Sequence, residues 1–199
     1  EALGAEVQLG DSYELFGKSL RGADIFLDEP SVTGTENALM AAVRAQGRTV
    51  LRNAASEPHV QDLARLLVAM GARIEGIGSN TYVIDGGQPL HGASYSIGPD
   101  HIEIGSFIGL AAVTNSALTI DGVRGDDLRG TLLGFERLGI RPRLDGQKLI
   151  IDADQERDVV VFTKNTTEAI NQFARTFALA DDAVVLTTML EHHSNLLPW

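Results

Sequence analysis

The sequence predicts an α/β fold made of a repeated helix, strand, helix, strand, strand unit, followed by a short strand-helix-strand tail of different construction. Three observations carry this reading. The chain resembles itself at a spacing of about 68–70 residues, its apolar residues switch between helical and alternating periods, and the pattern changes near residue 155.

The repeat is anchored by Leu3-Gly4-Ala5, Met70-Gly71-Ala72 and Leu138-Gly139-Ile140, at spacings of 67 and 68 residues, each ahead of a short alternating strand, a tight turn and a second strand. Leu20-Arg21-Gly22-Ala23 returns as Leu90-His91-Gly92-Ala93, and Ala41-Ala42-Val43 as Ala111-Ala112-Val113, both 70 residues later. Within the middle copy, residues 25–27 read as a strand, 35–45 as an amphipathic helix and 49–52 as a strand. Residues 58–70 form a second helix, opened by Pro58 and stopped by Gly71. Strands follow at 73–75 and 81–85, with Gly76-Ile77-Gly78 as the turn between them, and Asp145-Gly146 marks the matching hairpin of the next copy. Such a unit cannot bury both faces of its helices alone, so neighbouring units are expected to pack helices together inside a ring of sheets.

From residue 158 the reading changes to an apolar strand (159–162), a helix (166 to about 179) and a second buried strand (183–187), the pattern of a parallel crossover. A boundary is expected at residues 155–157.

Composition bounds the function. The 199 residues are 44 % hydrophobic and 22 % charged, close to the globular average, and no apolar run approaches the length of a spanning helix. A net charge of −11 without a basic cluster argues against nucleic acid or an anionic membrane as partner. The absence of cysteine excludes a disulfide framework, a zinc-thiolate site and a thiol nucleophile supplied by these residues, and it suits a reducing cytoplasm. The chain opens on Glu1 and stops at Leu197-Pro198-Trp199, so it reads as a piece of a longer protein.

The first candidate site is Ser31-Val32-Thr33-Gly34-Thr35-Glu36-Asn37, where a strand runs through Asp28-Glu29-Pro30 into a helix start. Free backbone N–H groups there suit a phosphate, with the hydroxyls of Ser31, Thr33 and Thr35 beside them and Gly34 permitting close approach. The same residues also read as an ordinary cap, with Thr33 and Glu36 at capping-box spacing.

The stretch from Leu27 through Ala42 resembles the UDP-N-acetylglucosamine enolpyruvyl transferases, of the EPSP synthase-like family. So do Asn53-Ala54-Ala55-Ser56-Glu57-Pro58-His59-Val60-Gln61-Asp62-Leu63, Met70-Gly71-Ala72-Arg73-Ile74 and Gly98-Pro99-Asp100-His101-Ile102-Glu103-Ile104-Gly105-Ser106-Phe107, in the same order; together they cover about residues 1–155. The resemblance implies a partial inside-out α/β barrel, with residues 1–99 ending a first domain and 100–155 starting a second, and substrates bound between them. It implies a transferase of peptidoglycan precursor synthesis that moves the enolpyruvyl group of phosphoenolpyruvate onto the 3-hydroxyl of UDP-N-acetylglucosamine without a cofactor. By position in the motif, Glu29, Pro30, Ser31, Val32 and Thr33 would contact the UDP-sugar, with Glu57 and Asp100 as further cleft residues. The family's cysteine loop, its early Lys-Asn pair, its base and its phosphate-binding arginines match nothing in this chain, so no catalytic residue is expected within it.

The second candidate site lies in the tail. Asn165-Thr166-Thr167-Glu168 is another hydroxyl-bearing helix start, which reads equally as a phosphate cradle or as a cap with Asn165 and Glu168 at capping-box spacing. Glu191-His192-His193 lacks the helical spacing of a metal motif, and a ring that stacks on a flat cofactor suits His192 better. Residues 157–199 resemble SufS-type cysteine desulfurases of the class V aminotransferase fold through Val161-Phe162-Thr163, Thr166-Thr167-Glu168-Ala169-Ile170-Asn171 and the stretch from Met189 to the end. That likeness implies a βαβ segment of a pyridoxal-phosphate enzyme, with Thr166 and Thr167 at the cofactor phosphate and His192 on its ring. Asn165 replaces the family's usual glycine, and no lysine matches the one that would bind the cofactor covalently. No metal site is expected. Asp126-Asp127 is expected to cap the helix after it, and His59, His91 and His101 read as scattered surface or cleft residues.

Overall fold

The computed structural model describes residues 1–10 and 12–153. Every element expected in the tail, together with Thr166, Thr167 and His192, lies outside the described residues.

The repeat is visible as two like modules preceded by one hairpin. The hairpin pairs β1 (Glu6–Leu9) with β2 (Tyr13–Phe16) antiparallel. The first module runs β3 (Asp24–Phe26), α1 (Val32–Arg44), β4 (Gly47–Arg52), α2 (Pro58–Ala69), β5 (Arg73–Glu75) and β6 (Thr81–Gly86). In the second come α3 (His101–Thr114), β7 (Leu118–Asp121), a 3-10 turn (Gly125–Leu128), α4 (Arg129–Arg137), β8 (Arg143–Asp145) and β9 (Lys148–Ile151). The first sheet has the order β3-β4-β6-β5, parallel only at β3-β4, and the second has the order β7-β9-β8, antiparallel throughout. Strand for strand, β4-β6-β5 and β7-β9-β8 are the same arrangement.

Periodicity explains each helix. Thr35, Leu39, Ala42 and Val43 are the buried positions of α1, a helical stripe. In α2 the stripe is Val60, Ala64 and Leu67, with Asp62 buried beside it. Both helices pack on each other, and α1 lies on the face of β4 and β6 where Leu51, Tyr82 and Ile84 are fully buried. A second core joins Ile104 and Ile108 of α3 to Leu149 and Ile151 of β9, with Val123, Leu128 and Ile140 closing it. α3 also turns apolar side chains outward, Ile102 being 64 % exposed and Leu110 50 % exposed.

The Leu-Gly-x repeats are helix terminators. After α2, Gly71 takes φ 104°, its N–H donates to the Val68 carbonyl and the Ala72 N–H donates to that of Leu67. After α4, Gly139 takes φ 80°, with Gly139 donating to Glu136 and Ile140 to Phe135. This pair of hydrogen bonds satisfies carbonyls orphaned at a helix end and sends a buried apolar residue, Ala72 or Ile140, toward the next strand. Glycine is favoured there because the left-handed backbone strains most side chains.

Four sequence expectations need correction. α1 starts at Val32, three residues earlier than the apolar pattern suggests, because Ser31 and not Thr33 is its cap. The capping box of Thr33 and Glu36 therefore does not form. Asp126 and Asp127 do not cap α4: they lie inside the 3-10 turn, α4 begins after Leu128 with no side-chain cap, and Asp126 pairs with Arg129 at 3.1 Å. The β8-β9 turn is centred on Gly146-Gln147 rather than Asp145-Gly146, since Asp145 pairs with Lys148; Gly146 takes positive φ at the first central position.

Replacing Gly71 by alanine places a Cβ at φ 104° and 3.2 Å from the Pro89 carbonyl oxygen. The expected loss is roughly 1–3 kcal/mol, read as a lower urea midpoint at an unchanged slope.

Candidate functional site

The start of α1 is built by its own side chains. Ser31 is extended (φ −71°, ψ 127°), and its Oγ accepts the Gly34 N–H at 3.1 Å. The Ser31 N–H is used by the Glu29 carbonyl at 2.7 Å, so the amides that face outward without an intrahelical acceptor are those of Val32 and Thr33. Thr33 is exposed, its Oγ1 standing 3.5 Å from that of Ser31, while the Val32 side chain packs against the first core. Glu29 and Pro30 flank this start on the exposed side. Of the five residues read as contacting a UDP-sugar, the structure thus brings one hydroxyl pair and two free amides to one helix end.

Thr35 has another role than the one its hydroxyl suggests. It is fully buried, donates from Oγ1 to the Ser31 carbonyl at 2.7 Å and accepts the Ala55 N–H at 2.9 Å. Its hydroxyl is not available to a ligand. It ties the first turn of α1 to the loop 53–57, whose direction is set by Asn53 at φ 54°, with its Nδ2 donating to the Leu27 carbonyl at 2.8 Å. That loop ends at Glu57, the residue before α2, which makes no capping bond; its Oε2 is buried without a hydrogen-bond partner. The Tyr82 phenol, pushed up chiefly by burial, is raised further by the Glu57 charge.

A third helix start meets the second. Asp100 caps α3, its Oδ1 accepting the N–H groups of Ile102 at 2.8 Å and Glu103 at 3.2 Å. Those two N–H groups, with smaller help from the imidazoles of His101 and His59, hold its carboxyl below the usual range. His59 and His101 stack at 5.5 Å between ring centres, 18° from parallel. Between the starts of α2 and α3 is a cavity of about 500 Å³, walled by Pro58, Leu63, Ile97, Pro99 and Ile102 with the two imidazoles at its edge.

The starts of α1, α2 and α3 are therefore linked in series, first through Thr35 and Ala55 and then through His59 and His101. Each brings the positive end of a helix dipole; at α3 the Asp100 carboxylate already takes two of the N–H groups, whereas at α1 the amides of Val32 and Thr33 have no intrahelical acceptor. The start of α1, capped by a neutral hydroxyl, is therefore the one of the three suited to an anion.

Two features escaped the sequence reading. The histidine stack joins residues treated there as scattered, although Pro58-His59 and Pro99-Asp100-His101 both stand at helix starts. Asp62 was visible only as part of a motif. It is 7 % exposed and receives the Gly98 N–H at 2.7 Å, the Tyr95 hydroxyl at 2.9 Å and Arg124 at 3.1 Å. Burial penalises its charge, but these donors outweigh that and keep the carboxyl below its ordinary value. Among the described residues no group of three or more histidine, aspartate or glutamate side chains is arranged to hold a metal.

The model of the family described as EPSP synthase (3-phosphoshikimate 1-carboxyvinyltransferase) matches residues 1–191. The UDP-N-acetylglucosamine 1-carboxyvinyltransferase of Bradyrhizobium diazoefficiens is 60 % identical over 155 residues, 78 % of this chain and 36 % of that protein. Its counterpart in Treponema pallidum is 56 % identical over 139 residues, 70 % of this chain and 33 % of that protein. The chain thus spans about a third of the length of these relatives. Among solved structures, the enolpyruvyl transferase NikO from Streptomyces tendae superposes with a TM-score of 0.64 at 23 % identity, over 75 % of this chain and 39 % of that one. EPSP synthase from Acinetobacter baumannii gives 0.59 at 20 % identity, over 86 % and 43 %. At these identities the structural likeness establishes the α/β fold.

Thr35→Val keeps the shape of the side chain but removes both hydrogen bonds, leaving the Ala55 N–H buried and unpaired. A loss of roughly 1–3 kcal/mol is expected, measured by urea unfolding against the exposed control Thr33→Val.

Proposed function

The chain belongs to the EPSP synthase family, and on that premise we propose that it supplies the sugar-nucleotide face of an enolpyruvyl transferase of peptidoglycan precursor synthesis. The reaction read for the whole enzyme joins the sugar 3-hydroxyl oxygen to the central carbon of phosphoenolpyruvate. The tetrahedral adduct then loses inorganic phosphate, and the enolpyruvyl ether remains. The substrates are UDP-N-acetylglucosamine and phosphoenolpyruvate, both anionic and both metabolites of the cytoplasm, where this reading places the protein. No organic cofactor and no metal enter it.

One observation supports the reading most directly: the start of α1, where the Ser31 hydroxyl stands beside the unpaired amides of Val32 and Thr33. A diphosphate offers several oxygens to such a donor set, and a charge-assisted hydrogen bond is about twice as strong as a neutral one. In this reading Glu29 and Pro30 border the ligand, Asp100 lines the cavity between α2 and α3, and Glu57 is a further cleft residue. The reading assigns no acid or base to these residues. No helix among the described residues is long and apolar enough to cross a membrane, and no basic patch is invoked for nucleic acid.

Isothermal titration of the 199-residue chain with UDP-N-acetylglucosamine tests this. Saturable binding is expected, with UDP competing and free N-acetylglucosamine not, because the diphosphate is the gripped group. Ser31→Ala is expected to weaken binding roughly tenfold, the cost of one hydrogen bond to a charged group, with stability lowered only by the loss of the cap. Absence of binding at millimolar sugar nucleotide refutes the reading.

For residues 157–199 the likeness to cysteine desulfurases supports a separate reading, in which Thr166, Thr167 and His192 meet pyridoxal phosphate. Pyridoxal phosphate belongs to that family, and lacking a matching lysine the tail is not expected to hold it covalently. Added pyridoxal phosphate should then produce no protein-bound imine absorbance that survives gel filtration, and its appearance would contradict this assignment.

A further inference from the structure

We propose that Asp62 is the positioning residue of the cleft: it pins the segment between the modules, and through Arg124 the second module itself, to helix α2. The two modules have separate cores, one around Leu39, Leu51 and Tyr82 and one around Ile108, Leu149 and Ile151. They are joined by residues 87–100, which contain neither helix nor strand. By the repeat, residues 94–96 correspond to β3, yet they form no strand; Tyr95 instead donates its hydroxyl to Asp62 Oδ1 at 2.9 Å. Three residues on, the Gly98 N–H donates to Oδ2 at 2.7 Å. Arg124 of the second module reaches Oδ1 at 3.1 Å and Oδ2 at 3.4 Å, and Arg65 from the next turn of α2 completes the shell at 3.3 Å.

Both ends of this contact are fixed. Asp62 lies between Val60 and Ala64, which are fully buried in the first core. Arg124 follows Val123, 1 % exposed in the second core, whose N–H donates to the Gln147 carbonyl. A carboxylate held this way transmits orientation as well as attraction. Gly98 shows how tight the fit is: a Cβ there would stand 2.5 Å from Asp62 Oδ2 and 2.7 Å from Arg124 Nη1. A side chain there would push on the Asp62 and Arg124 side-chain ends rather than strain the backbone, since the Gly98 φ is not in the left-handed region.

The pin itself is independent of the ligand, but its effect on sugar-nucleotide affinity rests on the reading above. The absence of native cysteine allows nitroxide labels at Arg44→Cys and Glu136→Cys alone, one on an exposed position of each module. In the full chain, pulsed dipolar spectroscopy is expected to give one narrow distance. Arg124→Ala and Asp62→Asn should widen the distribution roughly twofold, toward the free relative motion of modules joined by a small interface. Gly98→Ala should shift its centre, and Arg124→Lys should restore the narrow form. A purely stabilising role would lower the melting temperature and leave the distances unmoved.

An unchanged distribution in Arg124→Ala and Gly98→Ala, both confirmed folded by circular dichroism, overturns the proposal. Affinity for UDP-N-acetylglucosamine should fall roughly threefold in Arg124→Ala, as only a fraction of molecules holds the competent orientation. Widened distances with unchanged affinity would leave the pin standing and overturn its positioning role. If the parent chain binds no sugar nucleotide, the earlier reading fails and the distances alone decide the pin.

Discussion

A helix must cover its apolar stripe, and that constraint shapes the first module. Burial of one large aliphatic or aromatic side chain contributes roughly 1.5–3 kcal/mol, and the first module fully buries Leu39, Leu51, Val60, Tyr82 and Ile84 in a single cluster. To reach it, α1 must lie on β4 and β6 and against α2 at once. The strand order follows, because the hairpin launched by the glycine turn after α2 has to bring β6 back beside β4. The same solution recurs in β7-β9-β8 with different side chains, so it belongs to the unit rather than to any one contact.

The arrangement also decides where charge can be accommodated. The loop before α2 is tied to the first turn of α1, and the first residues of α2 and α3 touch through two imidazoles. The starts of neighbouring helices are therefore tied to one another in a protein whose formal charge is −11. Side-chain cations play little part there: Arg65 and Arg124 are engaged with Asp62, and Arg52 with Asp24. An anion proposed at the start of α1 would be held by N–H groups in a fixed geometry, which water and salt screen less than exposed charges when a site is partly buried.

Much of this was legible in the residues. Glycine after a helical run, followed by alternating residues, forecast the hairpins, and the helix begun by Pro58 needed only proline's fixed φ. The family could be named from motifs at Ser31, Glu57 and Asp100 before any coordinates, and the α/β fold expected of it is present. Errors arose where several residues compete for one job. Ser31, Thr33 and Thr35 each carry a hydroxyl at a helix start, and their sequence does not say which caps, which faces solvent and which is buried. Asp126 and Asp127 look like caps, but a tighter turn intervenes and leaves Asp126 in solvent, paired with Arg129.

The sequence by itself determined the local and repetitive part of this protein: the unit, its order of elements, its glycine stops and its likeness to enolpyruvyl transferases. Such signals act over a few residues, or recur at a constant interval. Only the tertiary structure decided that Thr35 is a buried fastener, that His59 lies on His101, and that Asp62 receives donors from residues 95, 98 and 124. These pairings span 20 to 62 positions in sequence or join separate modules. Their partners are chosen by how two cores pack and how a strand-less segment crosses between them, which no local pattern encodes.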